Sequence, residues 1–208
     1  MDSLIHPTYF PNIAHFFVCV QSKKIVLEIE DNYQKQTYRN RTYIYGANGK
    51  LQLSVPVIYT QKNRQKYKDV KIFNDDNWQS QHWKSLESAY RTSPFFEFYE
   101  DELRPLFEKK QTYILDFNMA CFEVICDCLQ LELAIENTTA YNKEVNTLKD
   151  YRFLVNSKKE HIINFEEYIQ VFNAKHGYIN NLSILDLLFN EGTNAVNYLE
   201  NQKPDFQN

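Results

Sequence analysis

The sequence predicts an α/β fold, with a short, mostly parallel sheet plus a hairpin in the N-terminal half and helices through the C-terminal half. Three observations carry this reading. An apolar start at Leu4-Ile5 and a β-branched run from Lys24 to Ile29 flank a stretch with apolar residues at 13, 16, 17 and 20, which reads as strand, helix, strand. Gly46-Ala47-Asn48-Gly49 separates two further strand-like runs. From Trp78 onward the apolar spacing becomes helical. The chain has 208 residues, 43% of them apolar, a size suited to one domain with a filled core. Within it, 1–75 is expected to be mainly α/β and Rossmann-like, 76–202 mainly helical, and 203–208 a frayed tail.

Taken in order, Leu4-Ile5-His6 forms a strand that Pro7 ends, and Pro11 opens a helix over residues 12–21, where a missing N–H is harmless. Lys24 to Ile29 returns as a second parallel strand. Arg41 to Tyr45 and Lys50 to Val57 make the hairpin around Asn48-Gly49. Val70 to Phe73 adds a strand after the polar loop Thr60 to Lys68. Trp78, His82, Leu86, Ala89 and Tyr90 share one helical stripe that Ser93-Pro94 stops. Helices over about 95–108 and 115–129 follow, then a short strand at Leu131 to Ile135. Glu136 to Tyr141 and Asn156 to Glu160 read as loops, and 166–176, 182–190 and 192–200 as short helices broken near Gly177 and Gly192.

Charge is distributed unevenly. Residues 35–71 hold nine Lys/Arg against one acid, Asp69, whereas the rest of the chain is acidic and the net charge is −4. This balance argues against nucleic acid as a partner, which needs a wide basic face. It favours a local anionic small molecule of nucleotide or sugar-phosphate type. No apolar run is long enough for a membrane span and the first residues lack a secretory signal, so a cytoplasmic location is expected. Cys121, Cys126 and Cys128 follow helical spacing as core residues, without a second ligand pair for zinc, so no metal is assigned. Only four glycines occur, and neither a dinucleotide nor a Walker loop is present. The cofactor, like the oligomeric state, is left unassigned.

Several stretches resemble the WbqC-like family, most closely its form in the Bacteroidetes lineage. They are His6-Pro7-Thr8-Tyr9-Phe10-Pro11, residues 32–41 (NYQKQTYRNR), Leu53-Ser54-Val55-Pro56-Val57, Trp78-Gln79-Ser80-Gln81-His82-Trp83, residues 88–96 (SAYRTSPFF) and residues 181–192 (NLSILDLLFNEG). The family takes its name from bacterial surface-polysaccharide (O-antigen) gene clusters. The resemblance implies a role near nucleotide-sugar or activated-precursor chemistry. A second likeness is local: Pro11-Asn12-Ile13-Ala14-His15 is similar to the His-x-Gly-His turn of nucleotidyl-transferring folds, whose histidines at a helix start contact a triphosphate. Asn12 and Ala14 depart from that pattern, and only Ser157-Lys158-Lys159 stands where a second basic signature would be needed.

The candidate catalytic residues are His6 and His82, and the candidate ligand-binding residues are Tyr9, His15, Tyr33, Lys35, Arg39, Arg41 and Tyr90. His6 ends the first strand, at the carboxyl edge where open α/β sheets bind ligands. Its other reading is a histidine bonded to a loop carbonyl and stacked by Tyr9. Arg39 and Arg41 alternate along an extended segment and are expected to clamp one anion from one face, with Lys35 beside them and Tyr33 and Tyr38 stacking on a base or sugar. Removing both arginines is expected to cost little stability. His15 either meets the anion or lies on an ordinary helix face. His82 either lines a pocket, where its pKa suits acid–base work, or is a satisfied core residue. Asp186 and Asn190 read as core or capping residues. Two functions remain open: a group-transfer enzyme of nucleotidyl- or acyl-transfer type, and a non-catalytic accessory protein of polysaccharide biosynthesis.

Overall fold

A computed structural model describes residues 1–60, 64–158 and 163–204. The chain opens with β1 (Ser3–Ile5), α1 (Ile13–Gln21) and β2 (Ile25–Leu27), and β1 and β2 pair in parallel in the register Leu4 to Val26. The expected βαβ start is therefore present. Next come β3 (Arg41–Gly46) and β4 (Gly49–Ser54), an antiparallel hairpin with Ala47 and Asn48 at its tip. The short antiparallel pair β5 (Val57–Ile58) and β6 (Lys71–Ile72) brackets the polar loop, of which residues 61–63 lie outside the described chain.

The helical part comprises α2 (Trp78–Tyr90), α3 (Phe96–Leu103), α4 (Pro105–Glu108) and α5 (Ile114–Cys128). The single helix expected over 95–108 is divided at Pro105, which takes the first position of α4 because its ring cannot continue the hydrogen bonding of α3. Two further strands follow, β7 (Ile135–Asn137) and β8 (Lys149–Asp150), and then α6 (Asn173–His176), α7 (Ile184–Glu191) and α8 (Ala195–Asn201). β7 begins where the expected strand at 131–135 was to end, and it takes Glu136 and Asn137 out of the expected loop. β8 was not foreseen. Of the helix expected over 166–176, only the last turn forms.

The main sheet has the order β7-β2-β1-β8, and all of its pairs are parallel. Half of its strands therefore come from 135–150, inside the stretch expected to be helical. In chain order its strands run third, second, first, fourth. The chain works outward from β1 on one side, then returns to the other side to add β8. The gap between the carboxyl ends of β1 and β8 is thus a topological switch point, where crossing connections leave a crevice.

The C-terminal helices hold α1 in place. Ser183 caps α7 by accepting from Leu185 N and donates its hydroxyl to the Phe10 carbonyl. Asp186, fully buried, accepts from Tyr90 (2.7 Å), Tyr168 and Gln170 (2.9 Å), and burial pushes its carboxyl above the usual range despite those donors. Gly192 closes α7 at φ +55°, and a Cβ there would meet the Phe95 ring at 2.6 Å. Gly192→Ala is expected to lower stability by about 2–4 kcal/mol, from left-handed backbone plus ring overlap. Urea unfolding reads this as a fall in midpoint at constant m.

Candidate functional site

The crevice at the switch point holds a cavity of about 350 Å³ lined by His6, Asp31, Gln34, Asp150, Arg152 and Asn156, with Tyr141, Phe153 and Val155 supplying apolar surface. Each polar wall has a topological cause. His6 directly follows β1, Asp150 ends β8, and Arg152 lies in the tight turn that follows it. Asp31 and Gln34 come from the segment after β2, which is stitched between Gln65, Tyr67 and Val155: Tyr67 N donates to Asp31 O, Tyr33 N to Gln65 O, and Tyr38 N to Val155 O.

At the centre Asp31 Oδ2 accepts from His6 Nε2 at 3.1 Å and from Arg39 Nη2 at 2.6 Å. The Arg39 side chain is wholly buried, lies over the Tyr67 ring at 5.3 Å, and leaves Nε and Nη1 without partners among the described residues. Its carbonyl is held by Asn118 at 2.7 Å. Burial pushes the His6 pKa down to about 4, with the Arg39 charge acting the same way and Asp31 opposing both. Burial alone would raise Asp31, but its hydrogen bond with His6 and the Arg39 charge hold it below the usual carboxylate range. At neutral pH, Asp31 is therefore an anion and His6 a neutral ring. The ring nitrogen facing the carboxylate must carry the proton, so Nε2–H donates and Nδ1 keeps a lone pair. Nδ1 has no partner among the described residues.

Arg152 is occupied differently. Its guanidinium grips Asp150, reaches Glu28 at 3.5 Å, and donates to the carbonyls of Asn142 and Lys143, while the Tyr141 ring covers it. It anchors the loop between β7 and β8 against the cavity. Asp31, Asp150, Glu28 and Arg152 were not among the expected site residues. The signal available for them was their position just after apolar strand runs, as with His6, although β8 itself has no apolar run to mark it.

The remaining candidates are dispersed. Arg41 and Lys35 do not meet Arg39 in a clamp but line a separate groove with Tyr33, Asn40 and Tyr59. The alternation argument presumed one extended run through 39–41, whereas β3 begins only at Arg41, and Arg39 turns inward to Asp31. Tyr9 is buried beside Phe117 and bonds His82 Nδ1 at 2.9 Å, and the His82 ring packs against Trp78. Burial lowers His82 to about 4, offset only in part by a hydrogen bond with the Ser54 backbone. The two form an aromatic core pair, and neither lines the His6 cavity. Tyr90 bridges Tyr45 N and Asp186.

His15 is buried, with Nδ1 2.7 Å from Asn12 Oδ1, and burial followed by the neighbouring His6 lowers it to about 3. The first N–H groups of α1 are all taken: Ile13 by the Leu182 carbonyl, Ala14 by Asn181 Oδ1, and His15 by Asn12 Oδ1. The helix start thus offers an anion no free donor, unlike the turn it is similar to. Ser157 donates to the Gln36 carbonyl and Lys158 is exposed, while Lys159 lies outside the described residues.

The sequence profile of the WbqC-like protein family matches residues 6–164, which contain His6, Asp31, Arg39 and Arg152. The chain belongs to the WbqC-like protein family. The stretch 181–192 that caps α1 lies beyond the matched range. A relative in Mycobacterium tuberculosis, the uncharacterized protein Rv1507c, is 24% identical over 234 aligned residues covering 95% of this chain and 96% of the relative. No solved structure matches. Among the described residues of this WbqC-like chain, no helix is long and apolar enough to cross a membrane.

Two expectations follow from the buried charges. Arg39→Ala leaves Asp31 buried beside His6 without its cation and is expected to cost about 3–5 kcal/mol, reversing the expectation that this arginine can be lost cheaply. Arg41→Ala is expected to stay within about 0.5 kcal/mol of wild type, since Arg41 is only half-buried. Urea unfolding of both separates the two roles. In the second case, His6, His15 and His82 have folded pKa values of about 4, 3 and 4 against 6.5 for a free ring. Below pH 6.5 the unfolded chain takes up protons that the native chain refuses, so stability rises with pH up to about 6.5 and is flat above it. Each ring is expected to contribute up to about 2 kcal/mol of loss between pH 7 and pH 5. Circular dichroism across that range checks this, and His82→Gln should make the slope shallower.

Proposed function

We propose that this protein binds an anionic activated precursor, a nucleotide, nucleotide-sugar or sugar phosphate, with its reacting end in the switch-point cavity, and that His6 moves a proton there during group transfer in surface-polysaccharide precursor metabolism. The observation that carries the reading is the His6–Asp31 pair lining a cavity at the carboxyl edge of a parallel sheet. With Nε2–H held by Asp31, His6 Nδ1 is the nitrogen left to accept a proton; it is buried, so the reacting group must shift the cavity wall to reach it, and the carboxylate stabilises the imidazolium that forms. Its low pKa keeps the ring neutral across physiological pH at some cost in basicity, which the Asp31 charge offsets during transfer. Gln34, Asn156 and the Asp150 carboxylate supply hydrogen-bond partners for the hydroxyls of a sugar, and Tyr141 and Phe153 supply apolar faces for its ring.

Membership of a family named from O-antigen gene clusters supports the metabolic setting. His82, buried against Trp78 and Tyr9, takes no part in this reading.

A thermal-shift screen against nucleotides, nucleotide-sugars, sugar phosphates and acyl-CoAs tests the proposal. A ligand at about 100 times its dissociation constant adds about 2.7 kcal/mol, which for a chain of this size raises the melting temperature by about 5–10 °C. The expected result is a selective shift, with His6→Gln retaining binding of that ligand but losing its turnover. Silence across the panel would overturn the reading in favour of a non-catalytic accessory protein.

A further inference from the structure

The cavity beside His6 has little cationic charge to offer an anion. Arg39 is committed to Asp31 and Arg152 to Asp150, and Glu28 adds a further buried carboxylate. Two cations without an ion pair among the described residues, Lys35 and Arg41, stand elsewhere. Segment 31–36 is a wall with two faces: Asp31 and Gln34 face the cavity, whereas Tyr33, Lys35 and Gln36 face a groove of about 380 Å³ on the other side. That groove is completed by Asn40 and Arg41 and by the chain from Ser54 to Tyr59.

We infer that the groove lined by Lys35, Arg41, Tyr33 and Tyr59 is a phosphate-recognition subsite, separate from the His6 cavity, that takes the diphosphate or phosphate monoester end of the ligand. The inference rests on the proposed function for its ligand class, but its location rests on the groove alone. Among the described residues, two cations and no carboxylate line it. Lys35 Nζ lies over the Tyr59 ring at 5.2 Å, and the Tyr33 and Tyr59 rings are 4.9 Å apart, so the ammonium is held at the groove by an aromatic face rather than by an acid. Arg41 Nε and Asn40 Oδ1 are buried without partners among the described residues, a donor and an acceptor that a phosphate and its neighbouring hydroxyl would satisfy. Arg39 and Arg41 both act on the Tyr33 hydroxyl, opposing the rise that burial causes, so the groove also lies in the field of the arginine behind it. Cations lining a concave wall free of acids gather anions more strongly than the same charges on a flat face.

Calorimetric titration with inorganic pyrophosphate and with UDP, at 50 and 300 mM NaCl, tests this in the wild type, Lys35→Glu, Lys35→Ala/Arg41→Ala and His6→Gln. Pyrophosphate is expected to bind more weakly at high salt, to lose at least tenfold in affinity in both groove variants, and to stay within twofold in His6→Gln. Lys35 is exposed, so Lys35→Glu keeps the test meaningful if the double variant fails to fold. No binding of either probe by the wild type at millimolar concentration would overturn the inference, as would affinity unchanged in Lys35→Glu. Binding lost in His6→Gln but kept in the groove variants would move the anion into the cavity, overturning the subsite and leaving the proposed function intact. Groove binding as expected, with no His6-dependent turnover of any ligand in the screen, would sink the proposed reaction and leave the subsite standing.

Discussion

A single carboxylate organises this molecule: Asp31 accepts from a neutral imidazole and from a fully buried guanidinium through the same oxygen. Burying Arg39 without an anion would cost far more than the fold could supply, so Asp31 must be inside and ionised. Once it is, His6 is fixed in one tautomer and one orientation. The Asp31 carbonyl accepts from Tyr67 N, the Tyr67 hydroxyl donates to the Pro7 carbonyl, and Asn118 on α5 holds both the Tyr67 hydroxyl and the Arg39 carbonyl. The end of β1, the segment after β2, the turn at 67 and α5 are thereby tied at one point. The cavity wall is built from that knot.

The same chemistry sorts the basic stretch into two populations. Lys66 and Lys68 pair with Glu30, and Arg39 pairs with Asp31, so an acidic run directly after β2 neutralises part of the island that follows it. The exposed lysine pairs contribute little to stability, whereas the buried arginine pair is structural. Lys35 and Arg41 are left facing a groove that no acid lines among the described residues. A count of charges along 35–71 cannot make this distinction, because the neutralising acids, Glu30 and Asp31, lie just outside the window, and pairing is settled in three dimensions.

The legible parts of the fold are those with strong local patterns. Ile25–Leu27 is a β-branched run and pairs as one, the glycine-flanked hairpin forms where its turn chemistry allows, and α2 and α5 follow their apolar stripes. β8 was invisible because Lys149 and Asp150 carry no apolar signal, and the strand exists only through pairing with β1. That omission mattered most for the site, since the crevice between β1 and β8 is where the cavity lies. His6 was legible as a strand-end histidine, whereas Asp31 was not, because a lone acid in a polar segment looks like any solvated one. Tyr9, Tyr90 and His82 stood out for their residue type. Their hydroxyls and ring nitrogens instead satisfy one another or Asp186 inside the core.

Division of the polar groups between two concavities has a physical logic. Under the proposed function, a proton acceptor works best where charge is balanced: a strong cationic field beside His6 would hold its pKa down further and favour the neutral ring over the imidazolium that the proposed transfer requires. Phosphate recognition needs the opposite, an uncompensated cationic field. Placing both in one cavity would set each against the other. Segment 31–36 separates them as an irregular stretch, turned by the left-handed Gln36, with Asp31 and Gln34 lining the cavity and Tyr33 and Lys35 lining the groove. Arg39, behind the wall, is the group common to both environments: its charge is spent on Asp31 on one side and still acts on Tyr33 on the other. On this argument the length and stitching of that segment, rather than any one cation, decide whether acid–base and anion-binding groups can serve one ligand.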